Sequence, residues 1–462
     1  ASCRVPLMLM FFSAASWLAL SAIFSFIASL KFHAPEKIFA QCSHMTFGHV
    51  QAAANSLLIY GFAIQAGLGA MLWLFCRTGK TTLFQPVLAT LGAIFWNVGV
   101  TIGAIGIFIG DQSGFEWLEF PKYANGTLLV GYLVIALVAG LTFHDRQTKE
   151  SEPSQWFLVG AMFWFPWIFS TAIMLLQVAP VRGVMQAVVN NWYGANLVNI
   201  WLAFVGLAVV FYLMPVQLKR PVHNRYLAMF AFWVLALVGG WGGMHATMPV
   251  PSWLPGVSSM MTILTIVPVL AVAFNLHRTF GRDFHLMKDD LVLSFVIVGA
   301  SAYVIYGGLN AATGVQELNV VTHFTFFSLA LNKLALYGFF SLTLSAAIYY
   351  IVPKITGSEW PLPGLVKLHL WCGGIGMGIY FLSLGLAGVL QGQRWYGGAS
   401  FMDVANGVLR PFQMSTFGDL LILIGQVGLI ANLKWLLFLR CRACCQSFLA
   451  DVRGTKTAEV GA

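Results

Sequence analysis

The sequence predicts an all-α polytopic membrane protein, built as a bundle of twelve transmembrane helices. Of its 462 residues, 59% are hydrophobic and 9% are charged, and the mean hydropathy is +0.79. Soluble domains carry far more charge than this. Apolar windows of about 20 residues, the length that crosses a hydrocarbon core of about 30 Å, recur along the chain. The twelve windows lie at about 5–30, 49–76, 83–110, 124–143, 156–178, 184–214, 225–248, 255–276, 290–312, 319–352, 364–390 and 413–440.

The basic residues orient this bundle. Seventeen of the 25 Lys and Arg residues lie at the N-terminus, in the loops after even-numbered windows or in the C-terminal tail, and six lie in the loops after odd-numbered windows. Because basic residues concentrate on the cytoplasmic side of a membrane, we expect both termini in the cytoplasm. The same asymmetry accounts for the net charge of +9, which therefore calls for no nucleic-acid partner.

The expected organisation is a transmembrane domain over residues 1–440 and a cytoplasmic tail over residues 441–462. The first apolar run is too long for the core of a signal peptide, so residues 5–30 are predicted to span the membrane. The seven cysteines suggest no disulfide framework. Three of them, Cys441, Cys444 and Cys445, fall in the tail. We interpret these as solvated thiols, with acylation or weak metal binding as alternatives.

One ionisable side chain stands out at membrane depth. Residues 319–356 are predicted to form one long apolar helix, with Asn332 and Lys333 at its middle. An ammonium group at the bilayer centre costs a few kcal/mol, so Lys333 is expected to face protein or water, where it could serve a function. Asp419 in the last window is a second such charge, marking either a partner contact or a helix end.

Other patterns in the chain have ordinary interpretations. The first window carries no ionisable group between Arg4 and Lys31, which indicates a packing helix. The loop at 110–121 combines aromatic residues with three carboxylates, a pattern typical of an interfacial aromatic belt with solvated acids. The sequence contains no Walker loop, no dinucleotide fingerprint, no His-Glu-x-x-His and no Cys-x-x-Cys-His. No internal repeat of the kind that transporters carry is visible.

Eight short segments nevertheless occur in the order found in one family. They are 110–121 (GDQSGFEWLEFP), 154–156 (SQW), 163–167 (FWFPW), 182–190 (RGVMQAVVN), 211–215 (FYLMP), 249–254 (PVPSWL), 321–325 (VTHFT) and 349–353 (YYIVP). Over roughly residues 45–390 the chain resembles subunit I of the haem–copper oxidases, specifically the C-family (cbb3-type). The resemblance implies the twelve-helix fold of that subunit and a place in the bacterial inner membrane.

The family uses six histidines, and this chain departs from nearly all of them. Imidazole nitrogens hold a low-spin haem, a high-spin haem and a copper ion. Two of these histidines are spaced His-x-His on the tenth helix, where they point to opposite sides so that one can hold each haem. By resemblance the haem-ligand positions are Ala54, Leu331 and Lys333, the copper positions are Ala195, His245 and Ala246, and the redox tyrosine position is Gly239.

We therefore expect no catalytic residue, no haem and no metal ion in this chain. Lys333 and His245 remain as candidate functional polar residues, although a lone imidazole is more typical of a hydrogen-bonded polar residue than of a metal site. Two missing macrocycles would leave costly voids, so bulky side chains or lipid should fill them. The candidate side chains for this filling are Phe324, Phe326, Phe327, Phe339 and Phe340.

The leading functional interpretation is a non-catalytic subunit of a respiratory or electron-transfer complex. Such a subunit would dock a membrane-anchored cytochrome c-type partner that carries haem c, or an active oxidase subunit, near the loops at 111–122 and 249–255. One alternative is a catalytic cytochrome oxidase or nitric oxide reductase subunit with unusual ligands. Another is a quinol- or ion-binding membrane protein that uses the emptied haem cavity.

Overall fold

The fold, seen in a computed structural model, consists of helices that cross the bundle in alternating directions. The structure describes residues 2–148, 150–244, 248–281 and 284–452. The long helices in these parts are α1 (Arg4–His33), α2 (Phe47–Gly79), α3 (Pro86–Ile109), α4 (Lys122–His144), α5 (Pro153–Val178), α6 (Met185–Leu218), α7 (Arg225–Trp241), α8 (Trp253–Phe280), α9 (Leu291–Thr313), α10 (Phe326–Thr356), α11 (Pro363–Tyr396) and α12 (Phe401–Val452).

These helices match the twelve predicted windows in order, with one shortened member. Eleven are long and apolar enough to cross a membrane, whereas α7 is a shorter apolar helix. The window predicted at 225–248 therefore ends early, at Trp241. Its last turn is a tight 3₁₀ turn that begins at Gly239, and further glycines follow at 242 and 243, where the second has a φ of 89° that a helix does not allow.

Three helices form the centre of the bundle. The apolar window of α2 is 100% buried and those of α6 and α10 are each 94% buried, against 33–56% for the other eight. A helix that is apolar on all sides belongs in an interior, whereas the outer helices keep one side for lipid. The family ligand positions that the structure describes, Ala54, Ala195, Leu331 and Lys333, all lie on these three central helices.

The predicted helix over 319–356 is wrong in one respect, because it is broken before α10. Residues Gln316–Thr322 form a separate short helix, and Phe324 adopts a left-handed φ of 55°. The cause is close packing against α11. A methyl group added at Gly392 would lie 1.8 Å from the Val321 carbonyl oxygen, and one at Gly388 would lie 2.0 Å from the Phe327 nitrogen. The chain must therefore bend here, and α10 restarts at Phe326.

The last helix is longer than its predicted window. The window ends at 440, but α12 continues as one helix to Val452. Residues 453–462 lie outside the described part of the chain. The predicted cytoplasmic tail thus begins as a helical extension of the membrane domain.

Candidate functional site

The first turns of α10 separate two cavities of very different size. On one side, Lys333 and Ala54 line a small cavity of about 40 Å³. On the other side, Leu331 and Ala195 line a large cavity of about 680 Å³. Residues two apart on a helix point in nearly opposite directions, so the spacing of Leu331 and Lys333 places one side chain in each cavity, as the sequence predicts.

In the small cavity the ammonium of Lys333 is held by a carboxylate and a hydroxyl. Its Nζ lies 2.8 Å from Oδ1 of Asp419 on α12 and 2.5 Å from Oγ of Ser25 on α1. The side chains of Lys333 and Asp419 are only 14% and 3% exposed. The Nζ also lies 4.8 Å from the centre of the Tyr380 ring on α11. Lys333 therefore points into the protein, as the cost of a bare ammonium in lipid predicts.

Helix α1 supplies the polar surface for this arrangement. Ser21, Ser25 and Ser29 recur at every fourth position and thus lie on one face of the helix. The Ser21 hydroxyl donates to the Ala54 carbonyl at 2.7 Å, which ties α1 to α2 at the family ligand position. The expectation of a plain packing helix missed this row of hydroxyls, because serines do not register in a search for ionisable groups.

The lining of the large cavity mixes apolar side chains with many uncharged polar groups and two ionisable residues, Glu116 and His323. Amide side chains reach it from α6 and α9, including Asn190, Asn199 and Asn310, and hydroxyl groups come from Thr262 and Tyr306. The Tyr306 hydroxyl donates to Oδ1 of Asn199 at 2.6 Å. Gly242 and Met248, after α7, and Gly314, after α9, also line the cavity, so it lies in the half of the bundle that is predicted to face outward.

Aromatic filling of the vacated space is only partly observed. Phe339 and Phe340 are buried beside the central helices, where Phe340 packs 6.1 Å from Trp201. Phe327 reaches the large cavity, whereas Phe326 packs edge-on against Phe412 at the surface of α12. Phe324 is 78% exposed and lines the large cavity, so it lies at the edge of this space and leaves it open.

The loop at 110–121 was expected to carry solvated acids, and this expectation is wrong for one of its three carboxylates. Asp111 is exposed, but Glu119 is buried and its Oε2 accepts a hydrogen bond of 3.0 Å from Ser56 on α2. The Tyr60 hydroxyl donates to the Trp117 carbonyl at 2.6 Å. Burial raises the pKa of Glu119 to about 7, because water no longer stabilises the carboxylate. The loop is thus fixed to the bundle by a buried carboxyl group.

A second buried cluster was not foreseen from the sequence. The amide of Gln426 on α12 contacts the Tyr337 hydroxyl on α10 and lies 3.1 Å from Nε2 of His369 on α11. The other ring nitrogen of His369 bonds the Tyr349 hydroxyl at 2.9 Å. His369 is fully buried. The sequence places His369 in the second turn of its helix but does not show that neighbouring helices cover it.

Wide helical turns follow the family ligand positions. Among the described residues, segments with π-helical hydrogen bonds run over Leu57–Ile64, Met174–Val178, Leu197–Leu202 and Leu334–Ser341. All but the one at Met174–Val178 begin within three residues of Ala54, Ala195 or Lys333. Such turns are rare and frequently mark functional sites, so three of the four coincide with positions that the family resemblance singles out.

Two predicted site positions have no described structure. His245 and Ala246, two of the three copper positions, lie outside the described residues. Within residues 2–148, 150–244, 248–281 and 284–452, no group of three or more His, Cys, Asp or Glu side chains is arranged to hold a metal ion.

The fold and the paired cavities define a class of membrane protein: a twelve-helix bundle whose central helices frame two internal sites. The sequence matches the family described as cytochrome c and quinol oxidase polypeptide I over residues 5–421. The chain therefore belongs to the family of haem–copper oxidase subunit I.

Individual relatives are distant but cover most of the chain. The cbb3-type cytochrome c oxidase subunit CcoN1 of Stutzerimonas stutzeri is 24% identical over 359 residues, which are 76% of this chain and 76% of the relative. A cytochrome c oxidase subunit 1 homolog of Agrobacterium tumefaciens is 24% identical over 419 residues, 84% of this chain and 76% of the relative. The cryo-EM structure of a heme-copper terminal oxidase dimer matches with a TM-score of 0.75 at 14% identity, over 94% of this chain and 84% of that one.

The residues present do not fit the low-spin haem that the family fold implies. A cavity of about 40 Å³ has room for a few water molecules and none for a macrocycle. The methyl group of Ala54 cannot coordinate iron. The Lys333 nitrogen is an ammonium engaged with Asp419, and it would have to lose a proton and its partner to become a ligand.

The large cavity has the room but lacks the ligands. At about 680 Å³ it falls in the size range of small-molecule sites. The side chains of Ala195 and Leu331, which the resemblance aligns with a copper ligand and a haem ligand, bear no donor atom. The remaining described lining is rich in amide and hydroxyl oxygens and also includes the carboxyl group of Glu116, the imidazole of His323 and two methionines. No three of its described His, Cys, Asp or Glu side chains are arranged to hold a metal ion.

Proposed function

We propose that this chain is a non-catalytic, metal-free member of its family, which serves as a structural subunit of a respiratory or electron-transfer membrane complex. The observation that carries the proposal is the Lys333–Asp419 ion pair, which lies beside Ala54, where the family resemblance predicts a ligand of the low-spin haem. Without a low-spin haem, electrons from a donor on the outer face have no way into the bundle. The proposal also places both termini in the cytoplasm of a bacterial cell.

The ion pair indicates that new polar contacts replace a haem ligand, rather than that the ligand is simply missing. Loss of a ligand histidine alone would leave a void, and voids in a packed interior are unfavourable. Here three helices, α1, α10 and α12, each contribute a polar group to the same point. The chain has therefore gained new contacts that hold the scaffold together in place of the cofactor.

A scaffold without cofactors can still bind partner subunits through its surface. We propose that the outer face docks a membrane-anchored cytochrome c-type subunit that carries haem c, or an active oxidase subunit. The loop at 110–121 suits this role, since its buried Glu119 and Trp117 hold it in a fixed conformation. The loop that leads into α8 presents Trp253, which is 63% exposed. Exposed tryptophans are frequent anchors of protein interfaces.

The experiment is purification of the complex in mild detergent, followed by absorption spectroscopy and metal analysis of the isolated polypeptide. We expect no Soret absorbance and no copper stoichiometric with the chain. The Stutzerimonas stutzeri relative, expressed in the same host, controls for the haem supply. A stoichiometric haem signal in this chain refutes the proposal and favours the catalytic alternative with unusual ligands.

Partner docking needs its own variants. We expect Trp253→Ala to lower the amount of partner that co-purifies, because it removes an exposed anchor from the outer face. Trp371→Ala is the matched control, since Trp371 is 65% exposed on the lipid-facing side of α11. Equal loss of partner in both variants, or in neither, contradicts docking at the outer loops.

A second candidate function is supported by the large cavity. Its volume, its amide-rich lining and its place in the outer half of the bundle suit an uncharged ring compound such as a quinol. Binding of a short-chain quinone, followed by quenching of tryptophan fluorescence, tests this function. We expect Ala195→Phe to abolish binding by filling the cavity, whereas Ala335→Val, a substitution buried away from it, should not. Absence of saturable quenching in the unmodified protein refutes this candidate.

A further inference from the structure

Two cysteines from different helices meet at one end of the bundle. Cys3 directly precedes α1, and Cys76 lies in the last turn of α2. They are 73 positions apart in the sequence, yet their sulfur atoms are 3.3 Å apart. Cys3 is 8% exposed and Cys76 is half-buried. The two thiols thus form part of the contact between α1 and α2.

The backbone around this contact is held by helix ends. The Thr81 nitrogen donates to the Cys76 carbonyl at 3.1 Å, which closes the last turn of α2. Two residues further along, the Leu83 nitrogen donates at 3.1 Å to the hydroxyl of Ser2, the residue before Cys3. The loop after α2 therefore fixes the segment before α1, and with it the position of both sulfur atoms.

A disulfide bond between these cysteines needs little movement. The sulfur atoms of a disulfide are about 2.0 Å apart, so an approach of about 1.3 Å from the observed 3.3 Å is sufficient. This end of the bundle is predicted to face the cytoplasm, where thiols are normally kept reduced. A disulfide at this place therefore depends on the presence of an oxidant.

Cys3 is the thiol that is better suited to react first. The thiolate is the nucleophilic form of cysteine. A hydrogen bond from the Cys76 thiol lowers the pKa of Cys3, although burial acts in the opposite direction. The Ser2 hydroxyl lies 3.8 Å from the Cys3 sulfur and can also donate to it. Cys76 then stands beside Cys3 as a resolving thiol, the arrangement of many redox-sensing cysteines.

The pair connects a peripheral helix to a central one. The apolar window of α2 is 100% buried, whereas that of α1 is 50% buried. Two side-chain hydrogen bonds already join these helices, from Ser21 to the Ala54 carbonyl at 2.7 Å and from the Gln65 amide to the Ser13 hydroxyl at 2.5 Å. A covalent link at Cys3 would add a stronger attachment near the beginning of α1.

We propose that Cys3 and Cys76 form an oxidation site, at which hydrogen peroxide converts the two thiols into a disulfide that fastens α1 to α2. The Cys3 thiolate attacks one peroxide oxygen, so that an S–O bond forms, the O–O bond breaks and the other oxygen leaves as water with the Cys3 proton. The Cys76 sulfur then attacks the Cys3 sulfur. The S–S bond forms, the S–O bond breaks, and a second water leaves with the Cys76 proton.

This reaction is balanced without a cofactor. The two thiols together lose two electrons and two protons, and one hydrogen peroxide takes them up to give two water molecules. The inference rests on the thiol pair alone. It goes beyond the proposed structural role and does not depend on it.

The first test is treatment of the full chain, with its co-purifying subunits, with hydrogen peroxide in mild detergent. Digestion without a reductant, followed by mass spectrometry, should yield a peptide pair joined through Cys3 and Cys76 that dithiothreitol separates. Cys76→Ser should abolish this product and leave a sulfenic acid at Cys3, which a dimedone probe traps. Cys372→Ser, at a half-buried position of α11, is the matched control and should leave the linked product unchanged.

The exposed Cys441 provides an internal reference for the peroxide dose. We expect the link to form at or below the peroxide concentration that oxidises Cys441. Absence of the linked peptides at that concentration overturns the proposal, as does a linked product that persists in Cys76→Ser.

The second test asks whether the link fastens the helices. Unfolding of the oxidised protein in mixed micelles should require more sodium dodecyl sulfate than unfolding of the reduced protein, and dithiothreitol should remove this shift. Peroxide should produce no shift in Cys3→Ser, which controls for oxidation of other side chains. A linked protein that unfolds at the same detergent composition as the reduced protein refutes the fastening of α1 to α2.

Discussion

Removing one member of the Lys333–Asp419 pair should be far more damaging than removing both. Considered alone, a buried lysine can often be replaced by an apolar side chain of similar shape at little cost, and Lys333→Met would then be neutral. The structure changes this expectation, since Asp419 is 2% exposed and would be left without its partner. Its carboxylate would then be an uncompensated charge inside the bundle.

The magnitude follows from this burial. Breaking a buried ion pair by removing one partner costs about 3–5 kcal/mol, whereas replacing both by apolar groups of similar volume is about neutral or stabilising by about 1–4 kcal/mol. We therefore expect Lys333→Met and Asp419→Leu each to lower the free energy of unfolding by about 3 kcal/mol or more. The double variant should be at least as stable as the unmodified protein. Ser25→Ala should cost about 1 kcal/mol, the net value of one hydrogen bond.

The assay is unfolding in mixed micelles of a mild detergent and sodium dodecyl sulfate, followed by tryptophan fluorescence. Lys434→Met controls for the loss of a lysine at an exposed position of the last span. A double variant that is less stable than both single variants refutes the reasoning. Single variants that unfold like the unmodified protein refute it equally, because the pair would then not be a buried electrostatic unit.

Three further predictions concern other parts of the bundle. The pKa of Glu119 is about 7 in the folded state, against an ordinary value of 4.5. The free energy of unfolding should therefore fall as the pH rises from about 4.5 to about 7. Glu119→Gln should make the free energy of unfolding independent of pH in this range. Gly392→Ala should destabilise the bundle by about 1–3 kcal/mol in the same detergent assay, because the added methyl group would collide with the Val321 carbonyl oxygen. Gly378→Ala is the control and should leave the stability unchanged, because open space surrounds Gly378. A membrane-impermeant thiol reagent should label Cys441 in inverted but not in right-side-out membrane vesicles; the opposite pattern would contradict a cytoplasmic C-terminus.

The architecture could be predicted well because its causes are local. A span of about 20 apolar residues has one stable arrangement in a bilayer, so the number and order of the helices follow from hydropathy. The break before α10 could not be foreseen in this way. It depends on the approach of Gly388 and Gly392 on α11 to the backbone of the 321–327 segment, and hydropathy contains no information on which helices are neighbours.

The candidate site could be predicted only where its features depend on local sequence. Helical spacing alone places Leu331 and Lys333 in different cavities. The partner of Lys333 could have been predicted from the sequence, because Asp419 is the carboxylate in the middle of another span and opposite charges in a membrane interior tend to pair. The roles of Ser25 and His369 could not be predicted, since a serine or a histidine near a helix end looks the same in sequence whether lipid, solvent or protein covers it.

The contrast between the two cavities bears on how readily substitutions could introduce haem binding into this chain. On the Leu331 side the space persists, and new donor side chains would find room beside the amides already there. On the Lys333 side, restoring histidines at 54 and 333 would not suffice, because Asp419 would remain as an unpaired charge and the helices have closed over the space. Reversal there requires coordinated substitutions on α1, α2, α10 and α12. If the proposed function holds, the ion pair makes haem binding much harder to introduce on the Lys333 side than on the Leu331 side.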